Sequence, residues 1–499
     1  MKIIIPMTGM SKRFKEVGIN TPKQFLMVSN KMILEHILDM FPDESDINFI
    51  ISKNDYENKE LQKFLETIAD YNVVTIEYQK SGPGGALLES GLLETDLPVM
   101  INYCDFANIW DWKGFKSYVK KNNPDGVIPA YIGLHPHSIY GNDYAFIQNE
   151  NDKVIKIKEK HPFTDDKMNE FASSGSYYFK SGHVAKKYIQ KCFKLEKFVN
   201  NEIYISTPFE EMIKDKLDIR LFKIDYFFQW GTPEDYKEFN YNLDEIVNVK
   251  SKEKIDLKNI NLVIPAAGEG KRFKEKNYET SKIYLNLIEE PLIIEILNSF
   301  KNQIQTDVLI LKKDFKPEFF NDKDIKVKKL SKKTAGQAES ALQLIKGIDN
   351  NQPVLIHSAD CVLDKSTFVS IEDADIVVYT KKNYRRAFSQ EQNYGWVNIE
   401  KEKIKNFSIK SSPLSENSNV IIGTFLFKNK NLFIDILEET KKIKDNSKEI
   451  HVDHMIEIAF INGLKVKQIS SEKSSMLGTP VEYELFQYMN DVQRHLVSK

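Results

Sequence analysis

Ile3-Ile4-Ile5-Pro6-Met7-Thr8-Gly9-Met10-Ser11-Lys12-Arg13-Phe14 opens the chain, and Leu262-Val263-Ile264-Pro265-Ala266-Ala267-Gly268-Glu269-Gly270-Lys271-Arg272-Phe273 writes the same pattern again. Residues Ile3 to Phe41 lie over Leu262 to Phe300 without a gap at an offset of 259, with 14 of the 39 positions identical. Each stretch begins with a short apolar run bounded by proline, as a strand buried on both faces requires. A glycine-containing loop follows, and then a helical pattern such as Met32 to Phe41. Further apolar runs at Ile47–Ile51, Val73–Ile76 and Val99–Ile101 alternate with helix-length segments. Strand, loop and helix in series predict a doubly wound α/β sheet, with the ligand site at the carboxyl ends of the strands.

The repetition continues beyond this stretch. Gly84-Gly85-Ala86 answers Gly336-Gln337-Ala338, and Val99-Met100-Ile101 followed by Asp105 answers Val354-Leu355-Ile356 followed by Asp360. Gly231-Thr232-Pro233 answers Gly478-Thr479-Pro480. The offset falls from 259 to 255 (360 − 105) and then to 247 (478 − 231), so loops shorten in the second copy. Units of this size are duplicated domains rather than solenoid repeats. The expected domains are 1–244 and 259–499. The polar stretch from Asn242 to Lys258 supplies a linker over 245–258.

Composition narrows the function. Seventy Lys+Arg against 72 Asp+Glu leave a net charge of −2, without the basic excess of a general nucleic-acid binder. No apolar run is long enough to span a bilayer, and the apolar part of the N-terminus is too short for a signal peptide, so a cytoplasmic location is expected. Cys104, Cys192 and Cys361 form neither a disulfide framework nor a metal-ligand spacing.

The glycine loops let backbone N–H groups approach an anion. Phe273 stands where a dinucleotide fingerprint needs its third glycine, and the P-loop pattern is also absent. Instead a Lys-Arg pair sits inside the loop, twice: Lys12-Arg13 and Lys271-Arg272. The guanidinium fork suits two phosphate oxygens at once, which points to a polyphosphate ligand; the alternative is that the pair solvates a helix start.

These loops, followed by Thr21-Pro22-Lys23-Gln24-Phe25-Leu26, resemble the sugar-phosphate nucleotidyltransferases, or nucleoside-diphosphate-sugar pyrophosphorylases. The first copy continues the resemblance through Gly84-Gly85-Ala86, Cys104-Asp105-Phe106, Glu159-Lys160, Gly175-Ser176-Tyr177 and Asn201-Glu202-Ile203-Tyr204. The second includes Ser358-Ala359-Asp360-Cys361, Tyr394-Gly395-Trp396-Val397, Lys410 and Gly423-Thr424-Phe425. The resemblance implies two tandem, mostly parallel sheets of nucleotidyltransferase (GT-A-like) type. It also implies transfer of a nucleotidyl group from an NTP to a phosphorylated sugar or similar metabolite, with Mg²⁺, for capsule or other surface-glycan synthesis. Homo-oligomerisation stays open.

By the same resemblance Arg13 and Arg272, helped by Lys12 and Lys271, hold the β- and γ-phosphates, while Lys23 and Lys282 neutralise the α-phosphate and the acceptor phosphate. Gly9, Gly268 and Gly270 form the nucleotide loop, and Gly84, Gly85, Gly336 and Gln337 admit the base, with Gln79 a further candidate to read its edge. Glu159, Lys160, Gly175, Asn201 and Glu202, then Gly395, Lys410 and Gly423, surround the acceptor. Asp105 and Asp360 end apolar strands, where a carboxylate suits Mg²⁺ that takes its remaining ligands from phosphates and water. Where well-known members carry a second metal-binding Asp, this chain has Gln229 and Met476, with Asp225 a substitute. Ile409 replaces the carboxylate that Glu159 provides, so the copies bind different acceptors or only one is catalytic.

His135-Pro136-His137 reads as a substrate-side loop, and His451 with His454, in a segment where the family binds acceptor, as a surface helix face. Tyr226-Phe227-Phe228-Gln229-Trp230 reads as core and acceptor wall. Two other functions compete: a regulatory or dimerising pseudo-domain in one copy, and a nucleotide-sugar glycosyltransferase, which more often shows an Asp-x-Asp pair and no basic loop.

Overall fold

The computed structural model describes residues 1–9, 11–67, 71–77, 81–320, 324–382, 384–401, 403–444 and 449–497. Met10 of the first loop and Gln79 lie outside them. The chain divides into two compact units, Met1–Asn240 with Arg494–Lys499, and Tyr241–Gln493.

The first unit is built on a 10-stranded sheet. From one edge it runs Tyr71–Ile76, Ile47–Ser52, Lys2–Met7, Val99–Asn102, Ser176–Phe179, Gly126–Tyr131 and Ile219–Lys223, then Lys153–Glu159, Ala145–Glu150 and Phe171–Ser173. Ile3, Ile4 and Ile5 have no exposed surface, which explains an opening strand apolar at every position. Lys2–Met7 pairs in parallel with both Ile47–Ser52 and Val99–Asn102. The glycine loop after the first strand and Asp105 after the last therefore emerge at the same sheet edge.

The second unit has a 9-stranded sheet running Ile325–Leu330, Thr306–Leu311, Asn261–Pro265, Val354–His357, Asn419–Phe427, Ile376–Lys381 and Val466–Ser470, with the hairpin Gly395–Glu400/Lys403–Ile409 branching from Asn419–Phe427. Both sheets are mixed rather than mostly parallel: Ser176–Phe179 or Asn419–Phe427 runs antiparallel within the central run, and the hairpins Ala145–Glu150/Lys153–Glu159 and Gly395–Glu400/Lys403–Ile409 add further antiparallel pairs. Position for position, the seven strands named first in each unit follow the same order. Among the described residues no helix is long and apolar enough to cross a membrane.

The expected linker 245–258 is instead ordered structure. Helix Pro233–Lys250 runs through its first residues, and Ile255–Asp256 pairs in parallel with Phe300–Lys301. The polar side chains that made it look like a connector are used inside the second unit. Asn248 Nδ2 donates to the Leu363 carbonyl (3.1 Å) and its Oδ1 accepts from Lys365 N (2.8 Å). Glu245 forms a buried ion pair with Lys381.

Candidate active sites

The first loop turns at Ser11, held in the left-handed region at φ 50°; the second turns at Gly270, φ 61°. Glycine takes this conformation freely and serine at a cost, so one turn is drawn twice with different residues. Each turn starts a five-residue helix, Lys12–Glu16 or Lys271–Glu275, pinned to the core by Phe14 or Phe273. Arg13 lines a cavity of about 150 Å³, and Gly9 an adjoining one of about 260 Å³. Lys12 and Lys271 point to solvent, facing Glu16 and Glu275. In the second unit Arg272 Nη2 donates to Asn393 Oδ1 at 3.4 Å.

Opposite the loop, Lys23 Nζ donates to Asp105 Oδ2 at 2.7 Å, and Lys282 makes the same ion pair with Asp360. Each lysine begins a single 3₁₀ turn, Lys23–Phe25 or Lys282–Tyr284, whose next two side chains are buried. Burial pulls the Lys23 ammonium down, but the charge of Asp105, the hydrogen bond to it and the neighbouring Cys104 together outweigh burial and hold the pKa above the ordinary lysine range. At Asp360 burial pushes upward, yet Lys282 together with a hydrogen bond from Ser358 keeps the carboxyl below its usual value. Backbone closes over both carboxylates: a Cβ on Gly231 would stand 3.2 Å from Asp105 Oδ2, and one on Gly478 would stand 3.3 Å from Asp360 Oδ2.

Gln229 and Met476 occupy matching places, paired with Phe106 and Cys361 beside these acids. Gln229 Nε2 donates to Asp235 Oδ2 at 2.8 Å, a carboxylate that also accepts from Thr232. Asp225 cannot substitute, because it precedes strand Tyr226–Gln229 at the end that meets Ile109. Four residues of strand put it about 14 Å along the chain from Gln229. Among the described residues no group of three or more His, Cys, Asp or Glu is arranged to hold a metal. One carboxylate per site would fit Mg²⁺ whose other ligands are phosphates and water, and Asp105 and Asp360 are the residues that would hold it.

Of the residues expected around an acceptor, Glu159 and Lys160 gather with Tyr103, Tyr177 and Tyr204 around the smaller cavity. Ser206 Oγ donates to Glu159 Oε2 at 2.5 Å, and Lys160 Nζ lies 5.0 Å over the Tyr204 ring. Burial raises the Glu159 carboxyl above its ordinary value, against the hydrogen bond from Ser206 and the charge of Lys160. Glu202 lines the larger cavity with Lys23, Gly82 and Pro83. Tyr103 and Tyr204 line both cavities. Tyr103 lacked any sequence signal beyond its position two residues before Asp105.

Several expected contacts fall elsewhere. Gly84 and Gly85 are buried in helix Gly82–Ser90; a Cβ on Gly84 would meet Ile203 Cγ2 at 2.8 Å, so the glycine serves packing, and Gly82 and Pro83 line the cavity instead. Gly336 likewise abuts the Ile450 carbonyl, with Gln337 opening the helix behind it. Gly175 (φ 89°) fits against Phe106, and Gly423 (φ 76°) against Ser358, so at both positions close packing and a left-handed backbone require glycine. Asn201, at φ 65°, forms the turn before Glu202 and lines neither cavity. His135 and His137 are buried with Tyr131 and Phe227 rather than set on a substrate loop; burial pushes His135 down to about 4. His454 is buried too, its Nδ1 accepting from His451 N at the start of helix Val452–Ile461.

Residues 260–393, which include the loop Gly268–Phe273, Lys282 and Asp360, match the family model for 2-C-methyl-D-erythritol 4-phosphate cytidylyltransferase. The chain contains a nucleotidyltransferase domain. A D-glycero-α-D-manno-heptose 1-phosphate guanylyltransferase of Aneurinibacillus thermoaerophilus is 23% identical over 253 residues, 50% of this chain and 100% of that protein. Among solved structures, a Vibrio cholerae nucleoside-diphosphate-sugar pyrophosphorylase is 20% identical and covers 48% of this chain and 99% of its own (TM-score 0.38). The T. maritima inositol-1-phosphate CTP transferase is 17% identical, covering 47% and 97% (TM-score 0.36).

Proposed function

We propose that the chain is a tandem nucleotidyltransferase, two copies of one domain, each joining an NTP to a phosphorylated sugar or polyol and releasing pyrophosphate. The observation that carries this reading is the lysine–aspartate pair beside an arginine-bearing glycine loop, built once in each unit. An oxygen of the acceptor phosphate attacks the α-phosphorus in line, the bond from the α-phosphorus to the α,β-bridging oxygen breaks, and pyrophosphate departs with that oxygen. Such chemistry needs positioning and charge neutralisation more than a proton relay. Arg13 and Arg272 grip the departing phosphates, and Lys23 and Lys282 meet the α-phosphate and the incoming phosphate. Asp105 and Asp360 would hold Mg²⁺, which would supply further neutralisation when bound. Glu159 accepts from acceptor hydroxyls while Lys160 takes the acceptor phosphate.

The product is an activated precursor for capsule or another surface glycan, made in the cytoplasm. The heptose-phosphate guanylyltransferase and the sugar pyrophosphorylase among the similar proteins support the acceptor class. Pyrophosphate release from CTP, UTP, GTP, dTTP and ATP, each with pooled phosphorylated sugars and polyols and Mg²⁺, tests the reading. One NTP should turn over with at least one acceptor; silence across the whole matrix would refute nucleotidyl transfer.

A further inference from the structure

Ile409 leaves the second unit without the acid that Glu159 supplies in the first. The hairpins correspond: Lys160 N donates to the Tyr144 carbonyl at 3.1 Å, and Lys410 N to that of Tyr394 at 3.1 Å. Both lysines are left-handed, at φ 58° and 54°. Glu159 pairs across its hairpin with Ala145, and Ile409 pairs with Gly395.

The helix facing this hairpin corresponds as well. Helices Ser206–Lys214 and Val452–Ile461 precede strands Ile219–Lys223 and Val466–Ser470, and Leu217 and Leu464 make matching backbone bonds to Met212 and Ala459, each 3.1 Å. Counting 13 residues back from Ile219 (219 − 206) and from Val466 (466 − 453) aligns Ser206 with Asp453. Three positions have therefore changed together: Glu159, Ala145 and Ser206 in one unit stand against Ile409, Gly395 and Asp453 in the other.

Geometry explains why they change together. A Cβ on Gly395 would lie 2.5 Å from Asp453 Oδ2, so the alanine of the first unit would displace the carboxylate of the second from this place. Conversely, Glu159 needs the Ser206 hydroxyl that bonds it, and Asp453 stands where that hydroxyl would be. Burial raises the Asp453 carboxyl, as it raises Glu159, while the charges of His451 and Lys410 and a hydrogen bond from its own backbone N–H act the other way.

We infer that Asp453 is the acceptor-binding carboxylate of the second unit, moved from hairpin to helix, so that this unit binds a polyhydroxylated phosphate of its own. The inference rests on the nucleotidyl-transfer reading above. Lys410 meets the phosphate, Asp453 accepts from hydroxyls on the helix side, and Ile409 offers an apolar surface where the first unit offers Glu159. The preferred acceptor therefore differs between units, with its hydroxyls turned toward the opposite wall. Asp453 is a specificity-determining residue, and the loss at position 409 is a relocation rather than a decay.

Saturation-transfer NMR on the full-length chain tests this. The ligand mixture contains glucose 1-phosphate, glycerol 3-phosphate, inositol 1-phosphate and phosphorylated sugars and polyols of three to seven carbons, with Mg²⁺. Lys160→Ala silences the first unit, so remaining binding reports on the second and disappears when Lys410→Ala is added. Adding Asp453→Ser should weaken that binding by about tenfold or more, the worth of a charge-assisted hydrogen bond. Asp453→Asn, which preserves shape, should do the same. The triple exchange Gly395→Ala/Ile409→Glu/Asp453→Ser should restore binding with the acceptor preference of the first unit. Binding that depends on Lys410 but ignores both Asp453 substitutions overturns the inference alone. Absence of any binding by the unsubstituted chain overturns the reading beneath it.

Discussion

Replacing Glu245 by glutamine removes one charge from an ion pair whose side chains are 7% and, at Lys381, 2% exposed. Lys381 keeps the Ser474 carbonyl, 2.9 Å away, and the more distant charge of Asp244, but its ammonium loses the carboxylate that pairs with it directly. Stranding a buried charge costs about 3–5 kcal/mol, whereas removing both partners together costs far less. Glu245→Gln and Lys381→Met alone should therefore each destabilise the second unit by about 3–5 kcal/mol, lowering its melting transition by roughly 6–20 °C. The double variant Glu245→Gln/Lys381→Met should recover most of that loss. Calorimetry gives the transition, and hydrogen exchange of strand Ile376–Lys381 localises it to this unit. Single variants within about 1 kcal/mol of the parent, or a double variant no milder than either, would refute the claim that residues 241–250 are an integral part of the second unit.

Glu159 links stability to function. Burial raises its folded pKa above the unfolded value, so its ionisation opposes folding at neutral pH, and that cost is relieved as pH falls through the folded pKa. Glu159→Gln should stabilise the first unit at pH 8 in urea unfolding while raising the acceptor KM of that unit. In the parent, acceptor KM should begin to rise with acidification above the ordinary carboxylate range, and the substitution should abolish that dependence. Arg13→Ala and Arg272→Ala should each lower kcat/KM for the NTP by about 10²–10³ in their own unit only, read in steady-state kinetics. Gly84→Ala forces a Cβ within 2.8 Å of Ile203 and should destabilise the first unit by about 1–3 kcal/mol in chemical denaturation, without altering NTP selectivity.

The strand–loop–helix opening was legible because its signals are local: Ile3–Ile5, the Lys-Arg pair in the loop and Lys23 all follow from short-range pattern. Asp105 and Asp360 were legible because a polar residue ends an apolar strand. What was not legible depends on contacts distant in sequence. Gly84 looks like a base-binding glycine until Ile203 closes on it, and the linker looks solvated until Asn248 and Glu245 find partners more than a hundred residues away. Asp225 looks interchangeable with Gln229 until the strand between them places them at opposite ends. Asp453 sits between His451 and His454 with no local pattern to set it apart; only the pairing of Ile409 with Gly395 brings its carboxylate to the hairpin.

The most direct test of the account is nucleotidyl-product formation by the chain carrying Asp105→Ala, Asp360→Ala, or both, with Mg²⁺ and the acceptor mixture. Each single substitution should remove a different acceptor's product and leave the other's rate unchanged, and the double variant should make none. A single substitution that abolishes every product while the other changes nothing would contradict two catalytic units, and undiminished turnover in the double variant would contradict the assignment of these carboxylates.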